Sequence, residues 1–141
     1  MTKDVIITMS GIRLDGSDEQ DIELITAGQY FNKGGKDYIL YEEYLKELDE
    51  TTKCNIIIDK DKVNIIKHGP ANVHMIFDKF KRNSSYYQTP YGSMLMGFNT
   101  TDLKIEKEEE EMRIFIKYNI DINYQHVSEN DITIKIKSKQ K

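Results

Sequence analysis

Few side chains in this sequence have the types and spacing that chemistry requires. His68, His74 and His126 are the three histidines, and Cys54 is the one cysteine. Together they do not form the paired Cys/His set that gathers a structural zinc ion, so no metal site is expected. His74 falls on the register opposite Val73, Met75 and Phe77 and is expected to face solvent. Nucleophilic catalysis lacks its mark, since no G-x-S-x-G occurs. Gly34-Gly35 reads as a hairpin turn, not a phosphate cradle. Glu42 and Glu43 alternate in and out of a sheet if they lie on a strand, so they cannot work as a carboxylate pair on one face. Enzymatic chemistry is therefore the least supported class, and no cofactor is implied.

Binding chemistry has more to offer. If the apolar register of each strand faces inward, Glu42, Lys67 and Lys79 interrupt the inner face near strand ends, and Tyr118 lies mid-strand on the same face. Charges at the mouth of an apolar barrel can orient the head group of an amphipathic ligand. Long side chains at strand ends can equally snorkel into water. Met75, Met94 and Met96 could line a forgiving pocket, although methionines more often fill irregular core space. Tyr86, Tyr87 and Tyr91, near Lys79, Lys81 and Arg82, have the composition of a base-stacking platform. Tyrosines flanking a hairpin also simply pack.

The element that must position these groups runs from Met112 to Tyr124, M-R-I-F-I-K-Y-N-I-D-I-N-Y. Ile114, Ile116, Tyr118, Ile120, Ile122 and Tyr124 share one face. The other face is polar except for Phe115. Strict alternation of this kind is a half-buried antiparallel strand, and its length calls for coiling or bending. The rest of the chain reads the same way. Val5 to Leu14 is a first strand, and Asp15-Gly16-Ser17-Asp18 a turn. Ile22 to Ala27 follows, with Gly28 marking a bulge or sharp bend. Asn32 to Lys36 is the strongest hairpin signal.

Tyr38 to Tyr44 is a strand, and Tyr44 to Glu50 carries a mixed period that predicts a helical turn or an irregular loop. Lys53 to Asp59 and Val63 to Lys67 form the next pair, closed at His68-Gly69-Pro70. A strand carrying Val73, Met75 and Phe77 runs into Lys81 to Ser84, and Ser85 to Thr89 is short. Thr89-Pro90-Tyr91-Gly92 is a turn. Met94, Met96 and Phe98 continue inward, then Leu103 and Ile105. The acidic run Glu108 to Glu111 is an exposed turn. A loop from Gln125 to Asp131 leads to the last strand, with Ile132, Ile134 and Ile136 inward. Roughly ten strands with short connections form an antiparallel meander, which removes its edges by closing into a barrel. A two-sheet sandwich is the alternative.

At 141 residues the chain is long enough for one domain, 1–141, with a sizeable core. A net charge of −4 and three arginines argue against nucleic acid as a partner. No stretch approaches a membrane-spanning length. A lone cysteine and an N-terminus without a continuous apolar run point to a reducing, cytoplasmic setting.

An ordered set of residues also resembles a known family. Tyr41-Glu42-Glu43 is followed by Lys67-x-Gly69 before a strand ending in Phe77, then Tyr87-x-Thr89-Pro90-Tyr91-Gly92 and Thr101-x-Leu103. Arg113-Ile114-x-Ile116-x-Tyr118 and Asn130-x-Ile132 complete it. The set, covering nearly the whole chain, resembles the YwiB-like family of small bacterial proteins of unknown function. The sequence departs from that family at Glu108 to Glu111, where relatives tend to carry Gly, and at Tyr44 to Glu50, a segment longer than usual in the family. The resemblance implies a calycin-like (lipocalin-like) β-barrel whose interior could hold a ligand, and it carries over no catalytic residue. Two functions follow as expectations: a small apolar or amphipathic ligand bound in the barrel by Glu42, Lys67, Lys79 and Tyr118, or an interaction module whose barrel is filled by its own side chains.

Overall fold

β-branched residues alternating with polar ones dictate strands, and a turn every ten or so residues dictates hairpins. The computed structural model, which describes residues 1–12, 22–46 and 49–139, contains ten strands. They are β1 (Asp4–Ile12), β2 (Ile22–Lys33), β3 (Lys36–Leu45), β4 (Glu50–Asp59), β5 (Lys62–His68), β6 (Val73–Asp78), β7 (Arg82–Thr89), β8 (Gly92–Lys107), β9 (Glu111–Ile122) and β10 (Gln125–Ser138). All pairings are antiparallel, in the order β6-β5-β4-β3-β2-β1-β10-β9-β8-β7. Every neighbour is consecutive in sequence except β1 and β10, so this is an up-and-down meander tied together by its two terminal strands.

The two edge strands, β6 and β7, meet again through an isolated bridge. Asn72 N donates to Gln88 O at 2.8 Å, and Gln88 N donates to Asn72 O at 2.9 Å. The result is a nearly closed barrel. No described residue is helical, and no helix is long and apolar enough to cross a membrane.

The turns form where the chain tolerates positive φ. Gly34 and Gly35 carry φ of 62° and 80° between β2 and β3, as the hairpin signal predicts. Asn123 and Tyr124, at 50° and 68°, make a two-residue turn of the same hand. That turn corrects two expectations. β10 begins directly at Gln125 instead of after a loop, and Tyr124 leaves the inward register to stand 74% exposed. β2 likewise runs unbroken through Gly28 to Lys33, and β7 already begins at Arg82. The turn expected at Asp15–Asp18 and part of the Tyr44–Glu50 segment lie outside the described residues. Of the latter, β3 extends to Leu45 and β4 starts at Glu50.

Inward residues from every wall meet in one core. Val5 and Ile7, Ile39, Ile56 and Ile58, Phe77, Ile114, Ile134 and Ile136 are completely buried. Phe77 packs edge-on against both Phe98 (5.8 Å between ring centroids) and Tyr118 (4.8 Å). In β8 the inward register switches from the even positions of Met96 and Phe98 to the odd ones of Leu103 and Ile105. A register shift between Thr100 and Asp102 is the cause, because one extra residue reverses the parity of everything after it.

Candidate functional site

The wall opens where β2 and β3 part. Their ladder runs from Lys33↔Lys36 only to Gln29↔Leu40. Beyond it, the earlier residues of β2 pair with β1, and Tyr41–Leu45 pairs with β4. Gly28 sits at the fork. A Cβ there would come within 2.6 Å of Ile7 Cδ1 and 2.7 Å of the Leu40 carbonyl oxygen, so only glycine lets β2 lie this close. Past the fork a cleft of about 590 Å³ opens, lined by Thr26, Gly28, Leu40, Tyr41, Glu42 and Cys54 among others.

Behind the cleft lies a small polar group on the inner face. Tyr41 and Cys54 are directly paired neighbours and both are buried. The Tyr41 hydroxyl approaches Met9 Sδ at 3.7 Å and donates to Glu43 Oε1 at 3.4 Å. Lys67, the neighbour of Cys54 on β5, places Nζ 3.1 Å from Glu43 Oε1. Burial, with the Glu43 carboxylate adding to it, raises the Cys54 thiol to about 11. Burial also pushes the Tyr41 hydroxyl far above its ordinary range. Both stay protonated at neutral pH, so neither is a nucleophile there.

Alternation corrects the expected inner face at one position. Tyr41 and Glu43 point inward, and Glu42 therefore points out, exposed on the lip of the cleft. Glu42 and Glu43 differ by one residue of parity, and it is Glu43 that lies on the inner face. Lys67 does face inward at its strand end. Lys79 lies at the opposite end of the β5–β6 hairpin and pairs with Asp102 at 3.5 Å. Six residues of strand put the two lysines about 20 Å apart, so one head group cannot meet both. Tyr118 is buried in the aromatic cluster, where burial and then the Asp131 charge raise its hydroxyl to about 12. The four residues are thus not brought together. Of the methionines, Met75 and Met96 pack against the core, and Met94 is exposed.

Sequence reasoning missed two further polar constellations. At the end of the barrel where β3 begins, Asp37 is 3% exposed. It accepts from Tyr30 Oη at 2.6 Å and Asn32 Nδ2 at 3.0 Å, while Lys107 Nζ reaches it from β8 at 2.7 Å. Burial pushes the Asp37 carboxyl up, but these partners outweigh it and hold it below its ordinary value. Burial and Asp37 together raise the Tyr30 hydroxyl to about 12.

On the outer wall, Arg82 grips Asp121 with two parallel bonds, Nε to Oδ2 at 3.0 Å and Nη2 to Oδ1 at 2.7 Å. The pair passes over Gly97, where any Cβ would collide with it, and the Tyr124 ring lies 4.8 Å from the guanidinium. Among the described residues, no three His, Cys, Asp or Glu side chains gather as a metal site would require. The periodic pattern alone contains no signal for either cluster, since both depend on which strands become neighbours.

Comparison with known proteins agrees with this architecture. The crystal structure of the ywiB protein from Bacillus subtilis superposes with a TM-score of 0.84 at 20% sequence identity. The match covers 98% of this chain and 93% of that one, a likeness of fold. No curated protein matches the chain. Residues 7–134 match the family described as a domain of unknown function, DUF1934. The chain belongs to that family, as the ordered residues from Tyr41 to Ile132 led one to expect.

Proposed function

We propose that this protein is a cytoplasmic, non-enzymatic interaction module, built on a calycin-like barrel that its own side chains fill. The observation carrying this reading is the contrast between a packed interior and a cleft in the wall. Ile7, Ile39, Ile56, Ile114, Ile134 and Phe77 meet with no exposed surface, while the cleft of about 590 Å³ opens outward between β2 and β3. Ten strands make a barrel somewhat wider than the eight-stranded case that side chains just fill, and the completely buried isoleucines and Phe77 support its being filled from within.

A second reading keeps a small amphipathic ligand but moves it from the barrel axis into the wall cleft. What favours it is the placement of Glu42 on the lip and Lys67 behind Cys54. A ligand carboxylate would compete with Glu43 for Lys67, while Lys79 and Tyr118 would take no part. Titration of an environment-sensitive fatty-acid probe separates the readings. The interaction module predicts no saturable binding. Saturable binding that is lost in Lys67→Met and kept in Lys79→Met would replace it with the ligand reading.

A further inference from the structure

The cleft is bounded by backbone as much as by side chains. Among the described residues, Leu24–Ala27 pairs with β1 on one side only, and Tyr41–Leu45 with β4 on one side only, while at Gly28 the two strands still touch. Two strand edges therefore face each other across the opening. A free edge carries a row of unpaired N–H and C=O groups, which is a template for another strand. The surrounding outer wall mixes exposed apolar side chains with the polar and charged Asp4, Gln29, Glu42 and Lys53. Ile25 is 64% exposed, Tyr44 61% and Leu40 36%. Phe31 and Tyr38 stack beside them with ring centroids 4.9 Å apart.

We propose that this seam receives an extended peptide segment of a partner protein, which adds as a strand between β2 and β3. Main-chain bonds to the free edges would supply affinity, and alternate side chains would supply specificity. Residues pointing inward would enter the cleft against Thr26, Tyr41 and Cys54. Residues pointing outward would lie beside Ile25, Leu40 and Tyr44. The segment that fits has apolar residues at alternate positions and no proline in its paired stretch, since proline cannot donate to a ladder. Tyr41–Leu45 sets the paired length at about five residues, or about 16 Å. This inference rests on the interaction-module reading and names its partner.

The test starts from a phage-displayed library of random peptides, about twelve residues long so that they exceed the paired stretch. Selected peptides are synthesised and titrated into the full, isotope-labelled chain. Saturable binding is expected, with hydrogen exchange at residues 24–27 and 41–45 slowed by about tenfold or more. The Ile25→Lys/Tyr44→Lys double variant should weaken binding by about tenfold or more. Tyr86→Lys/Tyr91→Lys, away from the seam, should leave it unchanged. All four positions are exposed, so both variants fold, and their melting temperatures check this.

Three results would overturn the seam while leaving the interaction module standing: no peptide selected, protection that maps to another wall, or edge amides already as protected in the free chain as those of β4 and β5. Concentration-dependent self-association that protects the same amides would replace the partner with a second copy. Saturable fatty-acid binding would instead overturn the module reading beneath it.

Discussion

The barrel wall is interrupted twice, and the two interruptions are resolved differently. Between β6 and β7 the ladder is missing, yet the gap is drawn shut. The Lys79–Lys81 turn holds one end through Phe80 N to Thr100 O at 2.8 Å. The Asn72–Gln88 bridge holds the other, and the Ser85 hydroxyl donates to the His74 carbonyl between them. The closure leaves Asn83 Nδ2 buried without a partner. Between β2 and β3 the ladder starts well at the Gly34-Gly35 hairpin and then opens at Gly28. No described side chain ties β2 to β3 there, although the Tyr41 hydroxyl crosses beneath the opening to Met9 Sδ on β1 at 3.7 Å. Short strands joined by a three-residue turn cannot diverge far, whereas β2 and β3 each continue for several residues beyond the fork. A wall break becomes a usable cleft only where the strands outrun their hairpin.

Both breaks are tolerated because an unbroken wall opposite supplies the stability. β9 pairs along most of its length with both β8 and β10. Ile116→Ala or Ile134→Ala, each at a buried mid-strand site, should therefore have the largest effect, a loss of about 2–5 kcal/mol in denaturant melts. The matching outward changes, Lys117→Ala and Lys135→Ala, should stay within about 0.5 kcal/mol, as exposed sites do. Lysine variants that cost more than the isoleucine variants would reverse the inside-outside assignment of this wall.

Glycines sharpen the comparison next. Gly28→Ala places a methyl against the Leu40 carbonyl at the fork. Gly97→Ala places one under the Arg82–Asp121 pair in the intact part of the wall. Both overpack, and each should cost about 1–3 kcal/mol. They should differ in kind. Gly28→Ala should speed amide exchange along the Gln29–Lys33 ladder. Gly97→Ala should act through the outer ion pair and leave that ladder unchanged.

Acid tests the polar clusters. Asp37 and Asp121 both titrate below the ordinary carboxylate range, Asp37 because its partners outweigh its burial and Asp121 because Arg82 bonds to it. A carboxyl whose folded pKa is depressed contributes stability above its unfolded pKa, near 4, and loses it as pH falls through the folded value. Asp37→Asn should lower stability at pH 7 by about 1.5–3 kcal/mol, the range for hydrogen bonds to a charged group. Its deficit relative to the native chain should then shrink below about pH 4. A deficit independent of pH would mean that Asp37 acts through packing alone.

How much of this was legible in the sequence depends on range. Alternation read the ten strands and the inward isoleucines, because each strand carries its own period. Gly34-Gly35 announced its hairpin, because two positive φ values need glycine or its few substitutes. The Asn123-Tyr124 turn stayed hidden, since tyrosine gives no such sign and the apolar register ran straight through it. Glu42 faces out because Tyr41 beside it is buried, and the β3 register counted from Tyr41 puts Glu43 inside instead. Lys67 and Lys79 were grouped although strand direction alone separates them. The Asp37–Lys107 and Arg82–Asp121 pairs join residues 70 and 39 positions apart, and no local pattern encodes such pairings.

The smallest effect comes from the stitch itself. Ser85→Ala removes the one side-chain hydrogen bond that ties β7 to β6 between the turn and the bridge. A single neutral hydrogen bond contributes about 0.5–1.5 kcal/mol net, and the two ends of the gap remain fastened, so global stability should fall by no more than that. The local consequence should be larger than the global one. Amides of β6 and β7 facing the gap would exchange faster, because opening this seam no longer requires breaking the Ser85 bond. Exchange along the β2–β3 fork should not change, since nothing in Ser85 touches it. If Ser85→Ala loosens both seams together, the barrel opens as one unit, and the distinction drawn between a closed break and an open one fails.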